Sequence, residues 1–198
     1  MVPLRFERLA NMERSIVERG VSPTELGLDE LRLWKSHGFS DAHIADALAG
    51  FPPEGLKSLN PAQGERAVMQ RRHELELHPC YRMVDSCAAE FAAKTPYYYS
   101  TYEPHGDLGI DLLPDLESRT KERLVAIGSG PIRIGQGIEF DYGCVHAVKA
   151  IREAGKDAIL INNNPETVST DFDTSDRLYF DPLTLEYVSE ILLREQAH

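Results

Sequence analysis

The sequence contains little cysteine and a single tryptophan in 198 residues. Its three cysteines, Cys80, Cys87 and Cys144, are too few for a disulfide framework and are typical of a protein from a reducing compartment, here the cytoplasm. No Cys-x-x-Cys pair accompanies them or His78, so packing is favoured over a zinc site. The cysteines therefore predict buried thiols and no metal centre.

The chain also lacks long apolar runs and an excess of basic residues. No stretch approaches the roughly 18 apolar residues that a membrane-spanning helix needs, and no signal peptide is recognisable. Asp and Glu number 32 against 21 Lys and Arg, giving a net charge of −11. Nucleic acids and anionic membranes bind mainly clustered Lys and Arg, so neither is an expected partner. The tyrosines of YYYSTY (97–102) are accordingly assigned to packing rather than to base stacking.

Standard nucleotide-binding motifs are missing as well, although one segment is close to them. Residues 124–127 (LVAI) are an apolar run typical of a buried parallel strand, and a glycine-rich loop follows. The dinucleotide fingerprint requires glycine where Arg133 stands, and the Gly-Lys-Ser/Thr of phosphate-binding loops is absent. Two interpretations stay open: a tight strand-to-helix turn, or a site wall formed by Gly128, Gly130, Gly135 and Gly137.

The periodicity after this loop predicts a helix and a second strand. Apolar residues recur at three- and four-residue spacing over residues 140–151, which is typical of a helix with one apolar face. Residues 158–161 then form a second buried strand, closed by NNNP (162–165). Because the carboxyl ends of neighbouring parallel strands share one sheet edge, we expect Glu166 and Thr167 to lie beside the glycine-rich loop.

The amino-terminal part is predicted to form a small bundle of short helices. The first has an apolar stripe that ends at Gly20, and the second begins either at a capping box, SPTE (22–25), or later, at about Leu28. Further helices are predicted over residues 40–50 and 62–75. Their apolar stripes are narrow, so the bundle is expected to pack against a second surface as well.

Composition indicates a domain boundary near the middle of the chain. Residues 103–120 combine proline, glycine and acidic side chains, as linkers do. A third strand at 178–180 and an amphipathic helix follow, and three short strands would leave an open sheet edge, so we expect an incomplete α/β domain. The acidic row DFDTSD (171–176) is interpreted as a solvated turn, because it lacks the glycine and final glutamate of a calcium loop.

Several motifs together resemble one known family. GSGPIRIGQGIEFDYGCVHA and NNNPETVSTDFDTSDRLYF are similar to the second synthetase half of the carbamoyl-phosphate synthetase large subunit. LHPCYRMVDSCAAEFAAKTPYYYSTYE (77–103) and GFSDAHIADALAG (38–50) resemble the end of that subunit's central helical oligomerisation domain. The resemblance implies an α + α/β fold, with a small helical oligomerisation domain at 1–102, the linker at 103–120 and an incomplete Rossmann-like pre-ATP-grasp domain with a parallel sheet at 121–198.

The same resemblance implies a function. Enzymes of this family make carbamoyl phosphate from bicarbonate, glutamine-derived ammonia and ATP for arginine and pyrimidine biosynthesis, and loop carboxylates line a tunnel that delivers carbamate. Glu139 and Glu166 match those carboxylates. Helix capping, worth roughly 0.3–1 kcal/mol, competes for Glu139, and a solvated turn competes for Glu166. The implied site-loop residues are Gly128, Gly130, Arg133, Gly135, Gln136, Gly137, Asn164 and Thr167.

The implied cofactors and partners belong to the intact enzyme. ATP and Mg²⁺ or Mn²⁺ would bind an ATP-grasp domain that this sequence does not contain, so the chain alone is expected to bind neither and to be inactive. The implied partners are the remainder of the large subunit, a glutaminase small subunit and a second copy bound through the helical domain. The alternatives are a non-catalytic assembly or regulatory module and a simple nucleotide-binding Rossmann protein.

Overall fold

The computed structural model describes residues 2–50, 61–84, 95–102 and 120–197, which divide into two units. The helical unit comprises the described residues up to Pro79 together with Tyr102. The sheet unit comprises the described residues of 80–101 and all those from 120 onward. Cys87 and all but the last residue of the predicted linker lie outside the described residues. None of the helices in these ranges is long and apolar enough to cross a membrane.

The described part of the helical unit contains four helices: α1 (Val2–Arg19), α2 (Leu28–Ser36), α3 (Asp41–Leu48) and α4 (Pro61–Glu74). Gly20, with a φ of 49°, follows the end of α1 as the sequence predicts. The SPTE segment forms only a short 3-10 turn, Pro23–Glu25. The second helix begins at Leu28, the later of the two predicted starts, where Glu30 accepts the Gly27 amide at 3.0 Å.

A buried charged cluster joins three of these helices. Asp41 of α3 is fully buried and accepts hydrogen bonds from Nε and Nη2 of Arg72, on α4, at 3.1 and 3.0 Å. Lys35 of α2 places its Nζ 3.1 Å from the same carboxylate. Both cations also lie over the Tyr102 ring. The apolar core of the unit contains Ile16, Leu26, Leu31, Trp34, Phe39, Ile44, Ala47, Val68 and Leu77.

Five strands in the described residues form the sheet, in the order β1-β2-β5-β4-β3. They are β1 (Cys80–Met83), β2 (Tyr97–Thr101), β3 (Arg123–Ile127), β4 (Asp157–Ile161) and β5 (Arg177–Tyr179). Only the β1–β2 pair is antiparallel. Helix α5 (Glu139–Glu153) connects β3 to β4, and α6 (Leu185–Glu195) follows β5.

Both faces of the sheet carry an apolar core. On one face, Cys144 and Val148 of α5 pack with Ala126, Ala158, Leu160 and Leu178. On the other face, Ile191 of α6 packs with Tyr81, Tyr98, Ile159, Ile161 and Tyr179. A mostly parallel sheet with a helix on each face is the Rossmann-like arrangement, so the predicted α + α/β class is confirmed.

Strands β1 and β2 differ from the sequence interpretation. The resemblance assigns residues 77–103 to the helical domain, whereas in the structure β2 pairs with β5, with Tyr98 opposite Tyr179. The aromatic and hydroxyl residues of β2 suit a pleated, half-buried strand, and Tyr98 is 7% exposed. The sheet therefore has five strands instead of the three expected, and β2 extends it beyond β5.

Candidate functional site

The two polar loops that the sequence singles out meet at the carboxyl edge of β3 and β4. The first loop, residues 128–138, joins β3 to α5, and the second loop, residues 162–167, follows β4. The Gly128 amide donates to the carbonyl of Ile161, the last residue of β4, at 2.8 Å, and Asn164 Nδ2 donates to the Gly130 carbonyl at 3.4 Å. The structure thus brings the two loops together at one edge of the sheet.

The Asn162 side chain links the loops, although the sequence analysis does not include it among the site residues. It is fully buried, and its Oδ1 accepts the amides of Gly130 and Asn164, both at 3.2 Å. A Cβ at Gly128 would lie 2.5 Å from Asn162 Cγ, so glycine permits this close approach. The available signal is an asparagine that directly follows a buried strand and faces a glycine-rich loop.

The tip of the first loop is an exposed turn. Gln136 Oε1 accepts the Arg133 amide at 2.8 Å. Gly135 has a φ of 91°, in the region that favours glycine. Arg133 and Gln136 are exposed, so their side chains are open to a bound molecule or to another protein surface.

Glu139 is the first residue of α5, and its side chain is exposed. Its Oε1 accepts the Gly137 amide at 2.8 Å. Hydrogen bonds from the backbone amides of Gly137 and of Glu139 itself lower the pKa of the carboxyl group. The capping geometry that competes with a tunnel role is therefore present, and it favours the ionised form of Glu139.

Glu166 is exposed on the second loop, close to an anchoring point on α5. The Thr167 hydroxyl and the Ser169 amide both donate to Asp141 Oδ2, each at 2.7 Å. Asp141 lies in the first turn of α5 and is 3% exposed. The loop that carries Glu166 is thus tied to the amino end of α5.

An apolar patch around the amino end of α5 consists of Ile138, Tyr142, Val145 and Val168, which line a cavity of about 280 Å³. Ile138 is 83% exposed, and Tyr142 and Val168 are 63% and 53% exposed. Ile134, on the neighbouring turn, is fully exposed. Contiguous exposed apolar patches mark protein interaction sites or binding grooves in many proteins.

Asp181 is a buried carboxyl at the same sheet edge that the sequence analysis misses. It follows β5, is 2% exposed, and accepts both the amide and the hydroxyl of Ser100 from β2. Burial raises the pKa of Asp181, and the two hydrogen bonds from Ser100 oppose this effect. Asp181 thus links the ends of β2 and β5.

The acidic row at 171–176 forms an exposed turn held against the fold. Asp176 Oδ2 accepts the Ala158 amide at 2.8 Å. Arg152, near the carboxyl end of α5, donates from Nη1 to the carbonyls of Asp173 and Thr174 at 2.6 and 2.9 Å. These contacts give the row a structural role.

Comparison with known proteins identifies relatives of this chain. Residues 120–198 match the family model described as carbamoyl phosphate synthase preATP-grasp domain. The chain is 49% identical over 183 residues to the carbamoyl phosphate synthase large chain of Streptomyces coelicolor and 47% identical over 194 residues to that of Myxococcus xanthus. It is also 47% identical over 187 residues to the carbamoyl phosphate synthase arginine-specific large chain of Halalkalibacterium halodurans.

These matches cover nearly all of the chain but a small part of each relative. They span 92%, 98% and 94% of this chain and 15%, 16% and 16% of the three relatives, respectively. The chain therefore spans less than a fifth of the length of the curated relatives that it matches. The resemblance found in the sequence is confirmed, and the chain belongs to the carbamoyl phosphate synthase large-chain family.

Proposed function

We propose that this chain serves as the junction between the two synthetase halves of a carbamoyl phosphate synthase large subunit. In this role the helical unit contributes oligomerisation surface, and the sheet unit contributes loops of a carbamate tunnel. The intact ligase makes carbamoyl phosphate from bicarbonate, glutamine-derived ammonia and ATP in the cytoplasm, for arginine and pyrimidine biosynthesis. The names of the relatives, one of them arginine-specific, support the enzyme class.

The observation that carries the tunnel assignment is the position of Glu139 and Glu166. Both are exposed: Glu139 begins α5 directly after the first loop, and Glu166 lies on the second loop, which is hydrogen-bonded to the first at one sheet edge. Neither carboxylate belongs to the apolar cores of the sheet unit. Both carboxylates therefore lie on the surface, where other parts of a large subunit can complete a passage around them. The remaining site-loop residues, Gly128, Gly130, Arg133, Gly135, Gln136, Gly137, Asn164 and Thr167, shape and support these two loops.

The chemistry of carbamate suits an enclosed passage with hydrogen-bond acceptors. Carbamate decomposes in water, so exclusion of bulk water protects it between two active sites. A carboxylate repels the carbamate anion but accepts hydrogen bonds from neutral carbamic acid or from water. Glu139 suits the acceptor role, because it is exposed and the backbone hydrogen bonds that lower its pKa favour the ionised form.

The exposed apolar patch supports the proposal that another part of the large subunit docks on the sheet unit. Full burial of an aliphatic or aromatic side chain contributes about 1.5–3 kcal/mol, so covering the patch would favour docking. We assign this surface to the ATP-grasp part of the large subunit, which would also supply the sites for ATP and Mg²⁺ or Mn²⁺. A glutaminase small subunit is a further proposed partner.

Self-association is proposed for the helical unit. Phe6 and Leu33 are 68% and 49% exposed on this unit, so each presents apolar surface that a partner can cover. A second copy of the chain is the proposed occupant of this surface.

A chimera tests the proposed function as a whole. In it, residues 1–198 replace the matched segment of the Streptomyces coelicolor large chain, and ammonia serves as the nitrogen donor. We expect the chimera to form carbamoyl phosphate at a rate close to that of its parent, whereas a chain with this segment deleted forms none. A folded chimera that forms no product would contradict the junction role. If the separate chain then altered the rate of the intact parent, the chain would be assigned as a regulatory module instead of a junction.

A further inference from the structure

We infer that Asp141 is a positioning residue that holds the loop carrying Glu166 against the amino end of α5. The anchoring consists of hydrogen bonds between described residues. Its consequence for catalysis rests on the proposed function, because only a tunnel role makes the position of Glu166 matter for turnover.

The contacts of Asp141 show how the anchor is built. Oδ2 accepts two hydrogen bonds, from the Thr167 hydroxyl and the Ser169 amide, both at 2.7 Å. Both donors lie within three residues of Glu166, and Ser169 is fully buried. Asp141 also lies in the first turn of α5, where the helix dipole favours a negative charge.

The loop closes on itself at this anchor. The Thr170 amide donates to the Thr167 carbonyl at 3.1 Å, and the Asp171 amide donates to the Val168 carbonyl at 3.2 Å. The Thr170 hydroxyl donates to the same Thr167 carbonyl at 2.8 Å. This short 3-10 turn, Val168–Thr170, is too brief to be stable alone, so its orientation depends on what holds it.

Loss of the carboxylate would leave the Ser169 amide buried without a partner. An unsatisfied buried donor is costly, so the turn would open locally to reach water. Amide exchange reports such local opening separately from global unfolding. The amides of Leu178 in β5 and of Phe180 directly after it, which donate to the carbonyls of Pro96 and Tyr98, provide a reference for global unfolding.

Helix α5 offers a matched control at its other end. Arg152 holds the same connection further along, through the carbonyls of Asp173 and Thr174. Arg152→Ala therefore frees the later part of the connection and leaves the Asp141 contacts intact. Asp141→Asn is the conservative variant, because its amide oxygen can replace Oδ2 and accept both donors.

Hydrogen exchange on the full 198-residue chain tests the anchor. We expect Asp141→Ala to raise exchange at Ser169, Thr170 and Asp171 by about tenfold or more, with the reference amides unchanged. Asp141→Asn and Arg152→Ala should leave these three amides close to their original rates. Unchanged exchange in Asp141→Ala, or an equal rise at the reference amides, would overturn the inference.

Thr167→Val keeps the test decisive if Asp141→Ala fails to fold. It removes one of the two hydrogen bonds at Oδ2 and keeps the carboxylate. A local rise in exchange at the Ser169 amide supports the anchor, and no change overturns it.

In the chimera, Asp141→Ala should also raise the ATP consumed per carbamoyl phosphate formed, and Asp141→Asn should not. Faster local exchange with an unchanged ratio would uphold the anchor and count against the tunnel role of Glu166.

Discussion

Replacement of Glu195 by glutamine is expected to lower the free energy of unfolding of the sheet unit by about 3–5 kcal/mol. Glu195 is fully buried at the end of α6, and its Oε1 accepts hydrogen bonds from Arg177 Nη1 and from the Tyr179 hydroxyl. Its Oε2 lies 3.6 Å from Arg123 Nη1. Glutamine keeps the shape of the side chain but leaves two largely buried guanidinium groups without their anion.

The magnitude follows from the position of this network between helix and sheet. Arg123 lies on β3, Arg177 and Tyr179 lie on β5, and Glu195 reaches both strands from α6. Burial and the Glu195 charge both raise the pKa of Tyr179, so its hydroxyl remains a donor to the carboxylate. Removal of one member of such a buried set costs more than the net contribution of the pair, because the remaining charges stay desolvated.

Urea denaturation followed by far-ultraviolet circular dichroism measures this loss. Glu153→Gln is the matched control, because Glu153 is exposed and has a 3.8 Å contact with an exposed Lys149. The control should change the free energy of unfolding by less than about 1 kcal/mol. Equal stability of the two variants would show that the Glu195 network does not hold α6 on the sheet.

The second large effect is expected for Asp41→Asn in the helical unit, with a loss of about 3–5 kcal/mol. The substitution removes the carboxylate that both Arg72 and Lys35 contact, while all three side chains are at most 3% exposed. Since the three residues come from α4, α2 and α3, the loss should loosen the packing of these helices against one another. The backbone start of α3 is spared, because its cap is the Ser40 hydroxyl, which accepts the His43 amide at 3.1 Å.

Trp34 gives a specific readout for the helical unit. It is the single tryptophan of the chain and is 4% exposed in the core of that unit. Its fluorescence during urea denaturation therefore follows the helical unit without a contribution from the sheet unit. Asp29→Asn is the control, because the Asp29 side chain is 99% exposed. An Asp41→Asn midpoint equal to that of the control would refute the role of the buried cluster.

The parts of the fold that the sequence predicted are those encoded locally. Gly20 and Leu28 mark helix boundaries through capping, and the runs at 124–127 and 158–161 mark buried strands through apolar composition. Strand β2 could not be assigned in this way. Its place beside β5 depends on pairing between residues about 80 positions apart, and a tyrosine-rich segment suits a strand or a packed loop equally well.

In the candidate site, too, features with a local sequence motif could be predicted, and residues that act through long-range contacts could not. The glycine-rich loop and the two glutamates were recognisable from motif resemblance. Asn162 and Asp141 were not, because their importance lies in hydrogen bonds to residues 26–32 positions away. In the sequence, Asn162 is one of three consecutive asparagines, and Asp141 is one polar residue within an amphipathic helix. The roles of Asn162 and Asp141 are therefore recognisable only from the folded structure.

The ATP consumed per carbamoyl phosphate formed, measured in the chimera, tests the tunnel assignment most directly. We expect Glu139→Ala and Glu166→Ala to raise this ratio, because carbamate lost to water must be made again with further ATP. Glu139→Gln separates the roles of Glu139, since it can still accept the Gly137 amide but lacks the charge, and Glu153→Ala is the surface control. A ratio that stays at the control value in both alanine variants, with product still formed, would contradict the assignment.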